Sequence, residues 1–506
     1  MPPKVAIVGA GISGLTTAKQ CLSDGFQVTV FEAREEIGGQ WNYEIPDPVT
    51  GSAHSSVYQG VISNSCRDTS CFSDFPIDPS RYPDFYGHKL CLRYVEEYAA
   101  HFGLKPHIRF NTRVTSSEQL DDGRWQISFT GQDGGGGAQS TFDALFVCTG
   151  RNTTPHIPDF EGVEQFQGQV MHSHVYRQPE PFSGKSVAII GFGSSAVDIS
   201  SEICGLAAEC HLITRRGGWV IPRFVLGKPA EAWDNRFSQA VLPLSVSQWT
   251  LTQLYHVIVG ELPGELKPEH GMLEANPVIR SDFIENVKVG RIVPHRAGIK
   301  TITPQGMQKC YKSSHSEFIN SPNSVHLYRF TVPPQHPNLF IMGIPELTGP
   351  FHPAVELQAR WAAAVITGRI NLPSPKEMSE WISKSEKRRV REWVNSDRHT
   401  VSVHVLPYCD SLANDIGVAP TFGRLVSRVL TSNPFLAISV LLAVYFGIAA
   451  SAQYRLFGHD SKPDLAVATL RRLAKGGKEL SDEEKAALRK ADASPKTNNI
   501  LNGEGK

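Results

Sequence analysis

The chain has 506 residues, with 50 Lys and Arg against 50 Asp and Glu, so its formal charge at pH 7 is zero. This length predicts two to four domains, and 41% hydrophobic residues exclude disorder for most of the chain. The neutral balance argues against nucleic acid as a partner, and nine Cys without paired spacing argue against a disulfide framework or a structural zinc site.

The first 32 residues predict a strand–helix–strand unit. Strands are expected at Lys4–Val8 and Gln27–Phe31, with a helix between them that ends near Asp24. The first strand follows Met1-Pro2-Pro3 directly, so we expect no cleaved secretion signal.

A glycine turn joins this first strand to its helix, with the sequence Gly9-Ala10-Gly11-Ile12-Ser13-Gly14. The spacing is typical of dinucleotide-binding sites, where glycines let the backbone approach a pyrophosphate at the helix N-terminus. Glu32, at the end of the second strand, suits a ribose hydroxyl and would repel a 2′-phosphate. The site is therefore predicted to take FAD or NAD rather than NADP.

The next segments predict a hairpin that precedes a linker. Its strands are expected at Trp125–Phe129 and Phe142–Val147, with the glycine run 134–137 in the loop between them. Cys148-Thr149-Gly150 is interpreted as a structural turn, and Pro155 and Pro158 mark the linker.

A second strand–turn–helix unit begins at Ser186, with strands expected at Val187–Ile190 and His211–Thr214. The predicted cofactor contacts in its turn and helix are Gly191, Gly193, Ser194, Ser195, Ala196, Val197 and Asp198. After the second strand stand Arg215 and Arg216, where the first unit has a carboxylate. Guanidinium groups bind phosphate, so this site is predicted to take NADPH.

A later strand at Leu339–Gly343 and a helix from Ala354 to about Thr367 are expected to return to the first domain. The predicted fold is α/β with two Rossmann-like dinucleotide-binding domains. The FAD-binding domain would comprise residues 1–158 and 326–430. The inserted NADPH-binding domain would comprise 159–325 and contain a substrate-access region at about 228–321.

The C-terminal part differs from the rest of the chain in its composition. Residues 434–452 carry no charge, which predicts a transmembrane or membrane-embedded helix. A buried helix of the globular body is the alternative. Residues 459–506 are polar and predicted to be mobile, apart from a short helix that begins with the capping box at Ser481.

Several motifs together resemble the flavin-containing monooxygenases, in that family's order from about Lys4 to Arg369. The family fingerprint is matched by Phe166-x-Gly168-x-x-x-His172-x-x-x-Tyr176. The other matching segments are Glu36–Trp41, Ser63-Asn64-Ser65, Cys71–Pro76, Arg216–Trp219 and Glu356–Trp361.

This resemblance implies that NADPH reduces a bound FAD, which then reacts with O₂ to give a C4a-hydroperoxyflavin that oxygenates amines or sulfides. Asn64 corresponds to the family's active-site Asn. The other FAD contacts implied are Gly39, Gln40, Trp41 and Ser63. His172 is assigned a conformational role, and Phe166 and Tyr176 are assigned to packing. The resemblance also implies the endoplasmic reticulum membrane, with the C-terminal helix in lipid and the catalytic body on the cytoplasmic side.

Three alternatives remain from the sequence. A Baeyer–Villiger enzyme would use the same intermediate on ketones, although its fingerprint typically ends in Trp-Pro rather than Tyr176-Arg177. A disulfide reductase would use Cys66 and Cys71, with His352 and Glu356 as its acid–base pair. A membrane-tethered NADPH sensor would bind NADPH without catalysing a reaction. The physiological substrate and the oligomeric state are not assigned by the sequence.

Overall fold

The computed structural model describes residues 1–131, 137–233, 235–240, 242–310, 325–394, 400–431, 433–476 and 484. The strands in this part of the chain are β1 Lys4–Val8, β2 Gln27–Phe31, β3 Ile108–Arg109, β4 Arg113–Gln119, β5 Trp125–Thr130, β6 Ala138–Phe142, β7 Ala144–Val147, β8 Ser186–Ile190, β9 Glu209–Thr214, β10 Val220–Ile221, β11 Phe224–Val225, β12 Lys228–Pro229, β13 Val278–Ile279, β14 Val293–Arg296, β15 Gly298–Thr303, β16 Gly306–Cys310, β17 Leu339–Ile341, β18 Glu346–Thr348 and β19 Ser402–His404.

The helices in the same residues are α1 Ile12–Ser23, α2 His88–His101, α3 Ser194–Ile203, α4 Arg236–Ala240, α5 Leu244–Ile258, α6 Phe283–Lys288, α7 Phe351–Ile366, α8 Pro375–Glu392, α9 Val405–Asp415, α10 Phe422–Thr431, α11 Pro434–Phe446 and α12 Pro463–Ala474.

A five-stranded parallel sheet forms the centre of the first domain, in the order β17-β7-β1-β2-β3. Its middle strand β1 is fully buried at Val5, Ala6 and Ile7, as expected of a parallel strand covered on both faces. The edge strand β17 comes from far along the chain, after the inserted residues. The α/β class and the Rossmann-like sheets are as predicted from the sequence, whereas the domain boundaries stay predictions.

The hairpin prediction needs a correction. β5 pairs antiparallel with β6, but the chain then leaves the hairpin, and β7 pairs in parallel with β1 and β17. The predicted single strand at Phe142–Val147 is therefore wrong. Asp143 marks the change of sheet, because its N–H donates to the carbonyl of Lys4 and its carboxylate accepts from the N–H of Lys4, both at 2.7 Å. Most of the predicted glycine loop lies outside the described residues.

The second domain has a smaller parallel sheet in the order β14-β9-β8, with α3 following β8. The apolar side chains between this sheet and α3 form a separate core, which includes Val197, Ile203 and Leu212. The turn between β8 and α3 thus occupies the same place as the turn between β1 and α1 in the first sheet.

The predicted helix over residues 434–452 is wrong in its extent. α11 begins at Pro434, with its first N–H groups capped by the Asn433 side chain, and ends at Phe446 after 13 residues. At 1.5 Å per residue this is about 20 Å, short of the roughly 30 Å of a bilayer core. Residues 451–455 instead form a buried turn that closes on the first domain. Among the described residues, no helix has both the length and the apolar character needed to traverse a membrane.

The prediction of a mobile tail from residue 459 is wrong for its first part. α12 buries Leu465, Ala466 and Leu470, and the last two pack in a separate apolar cluster with α10 and α11. Because these apolar residues recur with helical spacing, they form a buried face within an otherwise polar segment. The predicted helix after Ser481 lies outside the described residues except for Glu484, which is helical.

Candidate active site

The first glycine turn leaves no room for side chains. Gly9 has a φ of +105°, and a Cβ there would lie 2.6 Å from the carbonyl oxygen of Cys148. A Cβ on Gly14 would lie 1.9 Å from the carbonyl oxygen of Gly9. Both positions therefore require glycine. As a result the N-terminus of α1, where Ile12 and Ser13 stand, lies directly against the end of β1, with its free N–H groups available to an anion.

Glu32 is held beside this turn by two backbone donors. Its carboxylate accepts from the N–H of Ala10 at 2.7 Å and from the N–H of Arg34 at 3.0 Å. The side chain is 7% exposed, so these bonds fix its orientation. Each oxygen still has a lone pair for a ribose hydroxyl. The residues present therefore fit the adenosine part of FAD.

The predicted contacts Gly39, Gln40 and Trp41 form a short turn next to the glycine turn. The N–H of Gly38 donates to the carbonyl of Ala10 at 3.1 Å, which joins the two turns. The carbonyl of Gln40 accepts from the hydroxyl of Ser55 at 2.6 Å, and its side-chain amide donates to Ser56. The structure thus brings together the residues between 9 and 41 that the sequence predicts to contact FAD, and their contact with FAD stays a prediction.

Asn64 lies on the segment that follows, close to Tyr86. The N–H of Ser63 donates to the carbonyl of Tyr86 at 2.9 Å, and the Ser63 hydroxyl donates to the carbonyl of Ser65 at 2.8 Å. The side-chain oxygen Oδ1 of Asn64 is buried and has no hydrogen-bond partner within the described residues. A buried acceptor without a partner lowers the stability of the fold by roughly 1–3 kcal/mol. The position therefore suits a hydrogen-bond donor on a bound group.

The second glycine turn is more open than the first. Gly191 has a φ of +113°, and its N–H donates to the carbonyl of Ile213 at 2.9 Å. A Cβ there would meet no atom within 4 Å, so the space above the turn is free among the described residues. Gly193 is the N-cap of α3, and Ser194, Ser195 and Ala196 form the helix's first turn.

The predicted contacts of the second site divide into two groups. Arg215 is exposed just beyond the end of β9, and Arg216 is half-buried beside it. Val197 is fully buried in the core. The Asp198 carboxylate accepts from the Tyr58 hydroxyl at 2.8 Å and lies 3.5 Å from the Arg280 guanidinium. Its carboxylate is therefore bound by other side chains of this chain, and its contact with a cofactor stays a prediction.

Two fingerprint residues, His172 and Tyr176, make structural contacts. The Tyr176 hydroxyl donates to Glu202 of α3 at 2.7 Å, and the buried Tyr176 ring packs against Tyr58. His172 accepts through Nδ1 from the N–H of His174 at 3.1 Å. Of these contacts, Tyr176 against Tyr58 links the predicted NADPH-binding domain to the predicted FAD-binding domain.

The arrangement disfavours a disulfide reductase. Cys66 and Cys71 are free, buried thiols. Burial raises the pKa of Cys71 to about 12, and burial together with the charge of Glu231 raises that of Cys66 well above its usual range. Thiols in this state are poor nucleophiles. Glu356 binds Ser73 and Arg455, while Nδ1 of His352 has no partner in the described part of the chain.

Two residues that contact the chain after Asn64 are not identified by the sequence analysis. Glu231 contacts the turn after Asn64 from the inserted region, and Arg455 contacts Ser73 and Asp74 from the C-terminal turn. Neither residue stands in a recognisable motif. The uncharged run before Arg455 favoured the prediction of a membrane helix instead.

Comparison with known proteins adds to this geometry. A family profile described as Flavin-binding monooxygenase-like matches residues 2–308 and 311–491. A dimethylaniline monooxygenase (N-oxide-forming) 2 of Cavia porcellus is 34% identical over 493 residues, covering 90% of this chain and 89% of that protein. A flavin-containing monooxygenase 5 of Rattus norvegicus is 33% identical over 491 residues, with the same coverage.

Among solved structures, the S-allyl-L-cysteine S-oxygenase of Allium sativum is similar at 28% identity and a TM-score of 0.57. The match covers 82% of this chain and 89% of that chain.

Proposed function

This chain belongs to the flavin-binding monooxygenase-like family, and on that premise we propose that it oxygenates the nitrogen of amines or the sulfur of sulfides. The family recognition and the cofactors FAD and NADPH, all predicted from the sequence, are confirmed by the comparisons. The relatives named for N-oxide formation and S-oxygenation support soft nucleophiles as the substrate class.

Each of the two glycine turns would bind one of the two cofactors. The first turn and the N-terminus of α1 would bind the FAD pyrophosphate, and Glu32 would hold the ribose. The second turn would bind the NADPH pyrophosphate, with Arg215 on the 2′-phosphate. When bound, FAD accepts hydride from NADPH and activates O₂ for transfer to the substrate.

Asn64 would orient the reacting groups through its amide. Its unpartnered, buried Oδ1 is the single observation that carries this role, because the chain itself provides no donor for it among the described residues. The amide has no proton to give or take at neutral pH, so the side chain positions by hydrogen bonding and performs no acid–base step.

The test is a stoichiometry measurement on the FAD-loaded protein. NADPH oxidation, O₂ uptake and oxygenated product are measured with a tertiary amine, a dialkyl sulfide and a cyclic ketone. We expect nearly one product per NADPH with the amine or the sulfide, and hydrogen peroxide in place of most, but not all, of the product for Asn64→Ala. Product from the ketone alone would contradict the proposed substrate class.

We also propose that α11 docks on a membrane surface instead of spanning it. Its outward side presents Phe435, Ile438, Leu442 and Phe446, spaced as one stripe of a helix, with Phe435 84% exposed. The preceding helix α10 adds the exposed ring of Phe422 and carries Arg424 and Arg428. An apolar stripe beside basic residues is typical of helices that lie in the lipid interface. The endoplasmic reticulum and the cytoplasmic orientation stay predictions from the family resemblance.

Flotation with vesicles of phosphatidylcholine and phosphatidylserine tests this docking. We expect the protein to float with the vesicles and Leu442→Glu to abolish flotation. Val390→Glu on α8 is the matched control, because Val390 is also about half exposed but belongs to a polar helix. Flotation of all three proteins, or of none, would contradict the proposal.

A further inference from the structure

The turn that follows Asn64 is closed by a carboxylate from the inserted region. One oxygen of Glu231 accepts from the backbone N–H of Cys66 at 2.9 Å and from the Thr69 hydroxyl at 2.7 Å. Within the turn, the carbonyl of Cys66 accepts from the N–H of Ser70 at 2.9 Å. Glu231 therefore fixes the backbone two residues after Asn64, from a part of the chain more than 160 residues away.

Glu231 is itself held in place by the short hairpin of β11 and β12. It stands in the turn Ala230–Trp233, whose first N–H donates to the carbonyl of Arg223 at 2.9 Å. The indole N–H of Trp233 donates to the carbonyl of Val225 at 3.1 Å. Both ends of the turn are thus tied to the hairpin, which restricts where the carboxylate can lie.

The same hairpin also contacts the segment that pairs with the residue before Asn64. Phe224 packs edge-on against Phe85 at 5.2 Å between ring centroids, and the Arg223 guanidinium lies 5.9 Å from the same ring. Phe85 precedes Tyr86, whose carbonyl accepts from the N–H of Ser63. The turn therefore contacts the chain two residues after Asn64, and the hairpin contacts the neighbour of Tyr86, which binds the residue directly before Asn64.

We propose that Glu231 is a positioning residue for Asn64, through which the inserted region sets the direction of the Asn64 amide in the flavin site. This inference rests on the role proposed above for Asn64. A charge-assisted hydrogen bond to backbone N–H is stronger and more directional than a neutral one. Small displacements of a positioned group reduce the yield of the reaction steeply.

The first measurement does not depend on activity. Hydrogen–deuterium exchange is followed in the peptide covering residues 62–70 of the FAD-loaded protein. In Glu231→Ala the Cys66 amide loses its acceptor, so we expect its exchange to accelerate about tenfold or more. Glu274→Ala is the matched control, because Glu274 also accepts two hydrogen bonds in the inserted region, from Gln248 and Gly271, but none from the Asn64 turn.

The second measurement is the oxygenated product formed per NADPH consumed. We expect Glu231→Ala to lower this ratio about tenfold, with FAD content unchanged, and Glu274→Ala to leave it unchanged. In an Asn64→Ala background, Glu231→Ala should produce no further loss, since the effect acts through Asn64. If Glu231→Ala does not fold, Glu231→Gln, which keeps a neutral acceptor, should give an intermediate exchange rate and ratio.

The outcomes separate the two proposals. If Asn64→Ala keeps its full product ratio, the role proposed for Asn64 is wrong. If Asn64→Ala loses the ratio while Glu231→Ala keeps it, or if the two losses multiply in the double variant, the positioning role of Glu231 is overturned.

Discussion

Replacing Arg455 by Met tests how the C-terminal turn stabilises the flavin domain. Arg455 is 1% exposed and donates to three separate parts of the chain. Its Nε donates to the Ser73 hydroxyl at 2.6 Å, its Nη2 to Asp74 at 3.1 Å and to Glu356 at 2.5 Å, and its Nη1 to the carbonyl of Asp460 at 2.9 Å. Met fills much of the same volume without the charge.

The expected loss of stability depends on the charges that Arg455→Met leaves buried. Removing one partner of a buried ion pair costs about 3–5 kcal/mol, because the other charge stays in the interior. Burial opposes the charge of Asp74, but Lys19 and Arg455 outweigh it and hold its pKa well below the usual range. In the variant Asp74 keeps Lys19, and Glu356 keeps the N–H of Ser73 at 2.8 Å. The loss should therefore lie near the lower end, at about 3 kcal/mol.

Thermal unfolding of the FAD-loaded protein measures this loss. At roughly 2–4 °C per kcal/mol we expect the melting temperature to fall by about 6–12 °C. Arg388→Met is the matched control, because Arg388 forms an exposed pair with Glu392 one helical turn away, and such pairs contribute little. A change of less than about 2 °C for Arg455→Met would refute the reasoning that this turn is part of the folded body.

Three further predictions concern the cofactor sites and the buried histidine. Arg215→Ala should raise the KM for NADPH about tenfold or more and leave the KM for NADH unchanged, since only NADPH carries the 2′-phosphate; equal effects on both in steady-state assays would argue against the assignment. Glu32→Ala should weaken FAD binding by at least about tenfold in fluorescence titrations, because the Ala10 N–H loses its acceptor together with the ribose; unchanged affinity would place the ribose elsewhere. Burial lowers the pKa of His352 from 6.5 to about 4, so the unfolded chain binds this proton first as the pH falls. The stabilisation by the neutral ring is then complete above about pH 6.5 and is lost toward pH 4, by about 3 kcal/mol. His352→Asn should flatten the melting temperature between these pH values, and an unchanged slope would contradict the prediction.

The parts of the fold that the sequence predicted well are those with local signals. The strand–glycine turn–helix units at Gly9 and Gly191 depend on backbone conformations and close approaches that glycine permits, so their spacing identified both turns. Glu32 was identified as well, because its distance from the turn is set by one helix and one strand.

The parts that were missed depend on distant partners. The apolar run at residues 434–452 is long enough to predict a membrane helix. Its length does not show that Arg455, which follows it, binds the buried carboxylates of Asp74 and Glu356. The change of sheet at Asp143 depends on the backbone of Lys4, and the contact of Glu231 with Cys66 joins two loops that carry no motif. Each of these contacts is decided by tertiary packing rather than by local pattern.

The placement of β17 and Arg455 has a consequence for synthesis of the protein. Until β17, which ends at residue 341, has left the ribosome, one edge of β7 is unpaired. Until residue 455 follows, Asp74 and Glu356 lack the Arg455 guanidinium that binds both of them. The inserted domain, encoded between β7 and β17, can therefore finish folding first while β7 still has an unpaired edge. Such a nascent intermediate is the kind of species that chaperones bind, and rapid C-terminal translation should improve the yield of soluble protein.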